Sequence, residues 1–206
     1  MGLGIIDLPK APAGITPAKF FNEWLPTQVE ALKDMISAMG AGLSTAISVR
    51  VIGAGGGDWT MTLADGKVKV DQGLNQDAVV TMVIEAGNFV EMATGQMDEL
   101  LKPPSMAQDL TPEQAKAKAK NDLEAMKSIV GMVKVVFEDK NKPFWVMAKF
   151  GGELRDEPDV QVTMDRETAQ AIAKGDTNPQ AAFMSGKVQI SGDLSILMAL
   201  TPILMG

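Results

Sequence analysis

The 206-residue chain has no cysteine, no histidine and no tyrosine. That removes thiol and imidazole chemistry, every Cys/His metal site, the Ser-His-Asp triad and disulfide stapling. Catalysis would have to rest on carboxylates, lysines or hydroxyls alone. Arginine is nearly absent too: Arg50, Arg155 and Arg166 are the only three, in a chain of net charge −7. A surface that neutralises phosphates needs clustered basic residues, so nucleic acid is excluded as a partner. No apolar run approaches the roughly 18 residues a membrane span requires. The opening MGLGIIDLPKAPAG lacks the basic start of a secretory signal. Ile6 stands where a myristoylation motif needs Ser or Thr, and the final ILMG is no peroxisomal address. These absences predict a cytoplasmic, bacterial, non-catalytic protein with no cofactor and no metal, able to touch a membrane only transiently.

Methionine, by contrast, is abundant at 15. Its flexible, polarizable side chain fills core gaps or lines surfaces that adapt to ligands of varying shape. Residues 1–15 read as an extended leader broken by Pro9, Pro12 and Gly14. Thr16 then caps a helix with Pro17 at its first position, and Phe21, Leu25, Val29, Leu32, Ile36 and Met39 recur at helical spacing. Alternation marks strands around Ile47–Val51, Trp59–Leu63 and Val68–Val70, with Gly53–Gly57 as a hairpin tip and Asp65-Gly66 as a tight turn. A fourth strand, Ala78–Ile84, leads to a helix carrying Phe89, Val90 and Met92 up to Gly95.

Residues 96–110 form an irregular apolar connector, and a similar order of elements then returns. Thr111, Pro112 and Gln114 make a capping box, and a helix bearing Ala119, Leu123, Met126 and Val130 runs to Gly131. Strands follow at Val133–Phe137, Phe144–Phe150 and Val160–Met164, then a short helix over Thr168–Lys174 that stops at Gly175. Thr16 aligns with Thr111, Gly42 with Gly131, Trp59 with Trp145, Thr81-Met82 with Thr163-Met164, and Gly95 with Gly175. The offsets fall through 95, 89, 86, 82 and 80, as expected of a duplication whose second copy has lost loop residues and a strand.

The segment 178–198, NPQAAFMSGKVQISGDLSILM, reads as helix, strand and helix. Gly186 ends the first helix, apolar residues alternate over 187–191, Gly192-Asp193 turns the chain, and Leu194, Leu197, Met198 and Ala199 form an apolar stripe. This segment resembles the C-terminal end of the sterol carrier protein family of nonspecific lipid-transfer domains. The pattern NPQxAFMSGKxxIxGDxSxxM is matched at Asn178, Pro179, Gln180, Ala182, Phe183, Met184, Ser185, Gly186, Lys187, Ile190, Gly192, Asp193, Ser195 and Met198. The resemblance implies an α+β fold, a mixed sheet covered on one face by helices, with an apolar tunnel for an acyl chain, fatty acyl-CoA, sterol or phospholipid.

Two incomplete copies are therefore expected: 16–110, lacking the final strand, and 111–206, with the final helix-strand-helix but no third strand. An incomplete sheet leaves an edge, so the halves should pack as one unit or the chain should form a homodimer through an edge. Trp145, Met147, Met164, Ile172, Phe183, Met184, Ile190, Leu194, Leu197 and Met198 are expected to line the lipid site of the second copy. Trp59, Met61, Met82, Phe89 and Met92 are their counterparts in the first. The rival reading is a scaffolding or dimerisation module with a filled core and a vestigial lipid site. The acidic clusters Asp98-Glu99, Glu153 with Asp156-Glu157, and Asp165 with Glu167 lie at loops or helix starts, where solvation or the helix dipole explains them. Gly53–Gly57 joins two strands and so lacks the context of a phosphate loop, and Lys116, Lys118 and Lys120 form a solvated helix face.

Overall fold

The computed structural model describes residues 9–101, 111–140 and 142–205; the expected leader and connector fall partly outside them. In the first copy, alternation produces β1 (Ser44–Ile52), β2 (Gly57–Ala64) and β3 (Lys67–Gln72), an antiparallel meander. The β2–β3 turn has positive φ at both Asp65 (50°) and Gly66 (72°), the backbone that a two-residue hairpin demands. The chain then crosses over, and β4 (Val80–Glu85) lies parallel to β1 on its other side.

The second copy repeats the scheme. β5 (Gly131–Glu138) and β6 (Phe144–Phe150) form a hairpin, and β7 (Val160–Asp165) lies parallel to β5. No strand forms over 151–159. β8 (Val188–Gly192) adds antiparallel to β7.

One eight-stranded sheet results, in the order β3-β2-β1-β4-β6-β5-β7-β8. The copies meet where β4 pairs antiparallel with β6, from Thr81 opposite Lys149 to Ile84 opposite Val146. This pairing explains why each copy tolerates its missing strand. β6 stands beside β4 as β8 stands beside β7, and β4 stands beside β6 as β3 stands beside β2. Asn88, 2% exposed, donates to the Trp145 carbonyl across the junction. Lys142–Glu85 and Arg166–Glu91 ion pairs cross it as well.

The helices pack on one sheet face. The stretch expected to be one helix from Thr16 is segmented into α1 (Pro17–Lys19), a π turn (Phe20–Trp24), α2 (Leu25–Ala31) and α3 (Lys33–Gly40). Pro26 has no amide to donate, and the turn before it widens so that Leu25 N–H reaches the Phe20 carbonyl. α4 (Ala86–Ala93), α5 (Asp98–Leu101) and α7 (Arg166–Lys174) join the first helices in one apolar cluster over the middle of the sheet. α6 (Pro112–Lys127) and α9 (Leu194–Met205) cover a second cluster, and α8 (Pro179–Met184) sits on β8. Helix α6 ends at Lys127 rather than at Gly131, so Val130 is exposed instead of lying on its apolar face.

Among the described residues the opposite sheet face carries no helix core. Ser48 and Thr60 hydroxyls lie 2.8 Å apart beneath the 73–79 crossover, both within reach of Asn75 N–H. Val83, Met132 and Met147 form a small cluster there with Trp145 and Leu154, the last contributed by the 151–159 loop.

Candidate functional site

The first copy's five expected lining residues lie in one buried apolar cluster. Trp59, Met82 and Phe89 are buried, with Met61 and Met92 packed against them. Phe21 stacks on Trp59 with ring centroids 4.7 Å apart, and Phe20 meets Phe89 edge-on at 5.1 Å. The Trp59 indole N–H donates to Asn22 Oδ1, which satisfies the one polar atom the stack buries.

The second copy is less closed. Val162 lies opposite Ile190 on the helix-bearing face, between Val160, held in the α9 cluster, and Met164, held in the α7 cluster. Val162, Met164, Ile172, Ile190 and Leu197 are all only partly buried. α7 packs on α5, β5 and β7, α9 packs on α6, β5 and β7, and α8 packs on β8, so the row lies between α7 and α9.

Six expected lining residues stand elsewhere. Trp145 and Met147 point to the opposite sheet face, because Val146 and Ala148 occupy the helix side. Trp59 pairs with Val49 and both face the helices, whereas Trp145 pairs with Val136 and faces away. The expected Trp59–Trp145 correspondence is thus one residue out of phase, and a one-residue slip in a strand reverses the face. The Lys134 ammonium lies 4.7 Å from the Trp145 ring centroid on that side. Phe183, Met184, Leu194 and Met198 are exposed, at 47%, 79%, 49% and 74%. α9 instead buries Ile196 and Leu200, and α8 buries only Ala182.

The polar groups build structure. Asp165, one of the acidic candidates, caps α7 by accepting from Thr168 N–H at 2.6 Å, and that backbone bond holds its carboxyl below the usual carboxylate range. Asp159 does more. It accepts from Arg155 at 2.6 Å and from Met132 N–H at 2.8 Å, contacts that lower its pKa in that order. Its own carbonyl accepts from Asp193 N–H. Through its carboxylate Asp159 ties the 151–159 loop to the start of β5 and through its carbonyl to the end of β8, and no sequence pattern marks it. Arg166, equally unmarked, lies 2.9 Å from Asp139 and 3.5 Å from Glu91.

Among the described residues no three acidic side chains gather to hold a metal ion. A hollow of ≈460 Å³ lies among Glu138, Asp139, Lys140, Pro143 and Asp165, and another of ≈410 Å³ between the 12–15 segment and Trp24. Neither lies between sheet and helices. No described helix is long and apolar enough to cross a membrane.

A sequence profile described as the SCP-2 sterol transfer family matches this chain twice, over residues 21–103 and 113–205. The chain belongs to that family, as a duplication of its domain. Among solved structures, sterol carrier protein 2 like 2 from Aedes aegypti is 18% identical, with 42% of this chain and 96% of that one covered and a TM-score of 0.31. Sterol carrier protein 2 from Yarrowia lipolytica, in its apo form, is 22% identical over 43% and 80%, with a TM-score of 0.31. The sec-alkylsulfatase Pisa1 from Pseudomonas sp. is 23% identical, but only 17% of that chain and 50% of this one are covered, at a TM-score of 0.28. No curated protein matches.

Proposed function

We propose that this SCP-2 family protein carries a hydrophobic lipid, a fatty acid, acyl-CoA, sterol-like molecule or phospholipid, without catalysing its conversion, and that the second copy holds it. The observation that carries this reading is the partly exposed apolar row at Val162 and Ile190, flanked by α7 and α9. Binding of a lipid tail draws its energy from apolar surface leaving water, about 25 cal/mol per Å². A row of partly buried aliphatic side chains offers that surface, and Met164, Ile172 and Leu197 extend it. In the first copy the equivalent position, Val80 on β4, packs instead in the cluster with Phe150 and α9 residues Ile196 and Leu200. That copy serves as the rigid neighbour whose β4 completes the second copy's sheet.

Native mass spectrometry of the purified protein should detect a co-purifying hydrophobe, and a fluorescent fatty acid should bind and be displaced by lipid. Val162→Trp, which fills the row, should weaken that binding at least about tenfold, whereas Met92→Trp in the first copy should alter stability more than affinity. Wild-type affinity in Val162→Trp would overturn this placement.

A further inference from the structure

The two ends of the sheet are built differently. β3, at one end, carries Lys67, Lys69 and Asp71, and charged side chains of this kind blunt an edge against pairing with another strand. β8, at the other end, is Val188-Gln189-Ile190-Ser191-Gly192 and bears no charge at all. Its outer backbone groups meet no strand among the described residues. Charges stand only at its two flanks, Lys187 before it and Asp193 after it, both exposed.

The apolar residues left on the surface cluster around the same strand. Phe183 and Met184 lie on α8, which enters β8, and Leu194 and Met198 lie on α9, which leaves it. Among the described residues the other large apolar side chains that are exposed, Met35, Ile52 and Val130, are scattered elsewhere. An uncharged edge bracketed by apolar helices is a surface shaped to continue the sheet.

We propose that two copies of this chain pair antiparallel through β8, about a two-fold axis at Ile190. The register follows from the charges. With Ile190 opposite Ile190 of the second copy, Gln189 meets Ser191, Val188 meets Gly192, and Lys187 meets Asp193, once at each end. An in-register parallel pair would set Lys187 against Lys187 and Asp193 against Asp193. The antiparallel pair also brings α8 of one copy, at the start of its β8, beside α9 of the other, at the end of its β8. Phe183 and Met184 then face Leu194 and Met198, a self-complementary contact of the kind a two-fold dimer requires. The chain already contains such a junction: β4 and β6, one from each copy of the domain, join antiparallel within the one sheet. This assembly does not depend on lipid binding.

The Lys187 ammonium makes no hydrogen bond or ion pair with the described residues, but its charge favours the ionised Asp165 that caps α7, so Lys187→Glu is confirmed as folded by circular dichroism before its association is read. Sedimentation velocity over about 1 to 100 µM should show wild-type dimer, and Lys187→Glu should weaken association at least about tenfold by setting like charges face to face. Asp193 also accepts from Ser195 N–H at the start of α9, so it is changed only within the swap Lys187→Asp with Asp193→Lys. Folded by circular dichroism, the swapped protein should recover the dimer. A third variant, Met184→Asp, should dissociate it without reference to the ion pairs. A monomeric wild type at the highest concentration would overturn the proposal, as would Lys187→Glu dimerising normally or a folded swap that stays monomeric. Co-sedimentation of monomer with phosphatidylglycerol vesicles, lost in Met184→Asp, would assign the apolar flank to a membrane and overturn it too.

Discussion

At the scale of single residues, Asp159 holds more of the second copy together than any residue that a motif picks out. Its carboxylate fixes Arg155 and Met132, its carbonyl takes Asp193 N–H, and a Cβ placed on Gly192 would collide with that carbonyl. Gly192 also sits at φ 102°, outside the range that L side chains favour. Gly192→Ala is therefore expected to destabilise by about 1–3 kcal/mol, read as a fall in denaturation midpoint at unchanged m-value. Asp159 predicts a pH dependence. Its folded pKa is depressed, so the stability it contributes is present above the unfolded value of about 3.9 and is lost as pH falls through the lower folded value. Asp159→Asn should melt below wild type at pH 7, and the gap should narrow as both are acidified beneath about pH 4. A gap that stays constant to pH 2 would remove the carboxylate from the account. In the first copy, Phe21→Ala should cost about 3–5 kcal/mol, because Trp59 and Phe89 both lose the ring they pack on.

At the scale of elements, the ends are set by local chemistry and the faces by tertiary packing. α6 shows the first. Thr111 and Gln114 exchange side-chain to backbone bonds at 3.3 and 2.8 Å, and Thr111→Ala should cost about 1 kcal/mol in thermal unfolding. The same local rules made Thr16, Gly95, Gly175 and Gly186 legible in the sequence as caps and helix ends, and all stand at such positions in the structure. What was not legible was rotation. α9 is apolar nearly all round, so periodicity cannot choose between the stripe through Leu194 and Met198 and the one through Ile196 and Leu200; contact with Ile129, Val133 and Val160 chooses the second. β6 reads FWVMAKF, apolar on both sides because it is a central strand, and such a strand hides which residue faces the helices. Trp145 and Met147 were misplaced for that reason. The π turn was invisible because Pro26 announces a disturbance without stating its form.

At the scale of the whole molecule, the duplication is visible as repeated order, but the way the copies complete one another depends on a strand pairing that no local signal records. β4 and β6 lie at the centre of the sheet, and the burial of their side chains follows: Thr81, Met82, Val83 and Ile84 on β4, and Val146 through Phe150 on β6, are nearly all below a tenth exposed. Separating the copies would expose two apolar central strands together with Asn88, whose partner is the Trp145 carbonyl of the other copy. Unsatisfied backbone and apolar edges of this kind favour aggregation over folding. Residues 1–110 and 111–206, produced as separate chains, are therefore expected to lack cooperative thermal unfolding on their own, and co-expression should recover a one-to-one complex with wild-type circular dichroism. The intact protein should unfold in a single transition, with far-UV signal and tryptophan fluorescence coincident, because Trp59 reports on one copy and Trp145 on the other. A cooperative transition in either separated copy, or two resolved transitions in the intact chain, would mean that β4 and β6 touch without depending on one another. In that case the proposed lipid site of the second copy would not need the first.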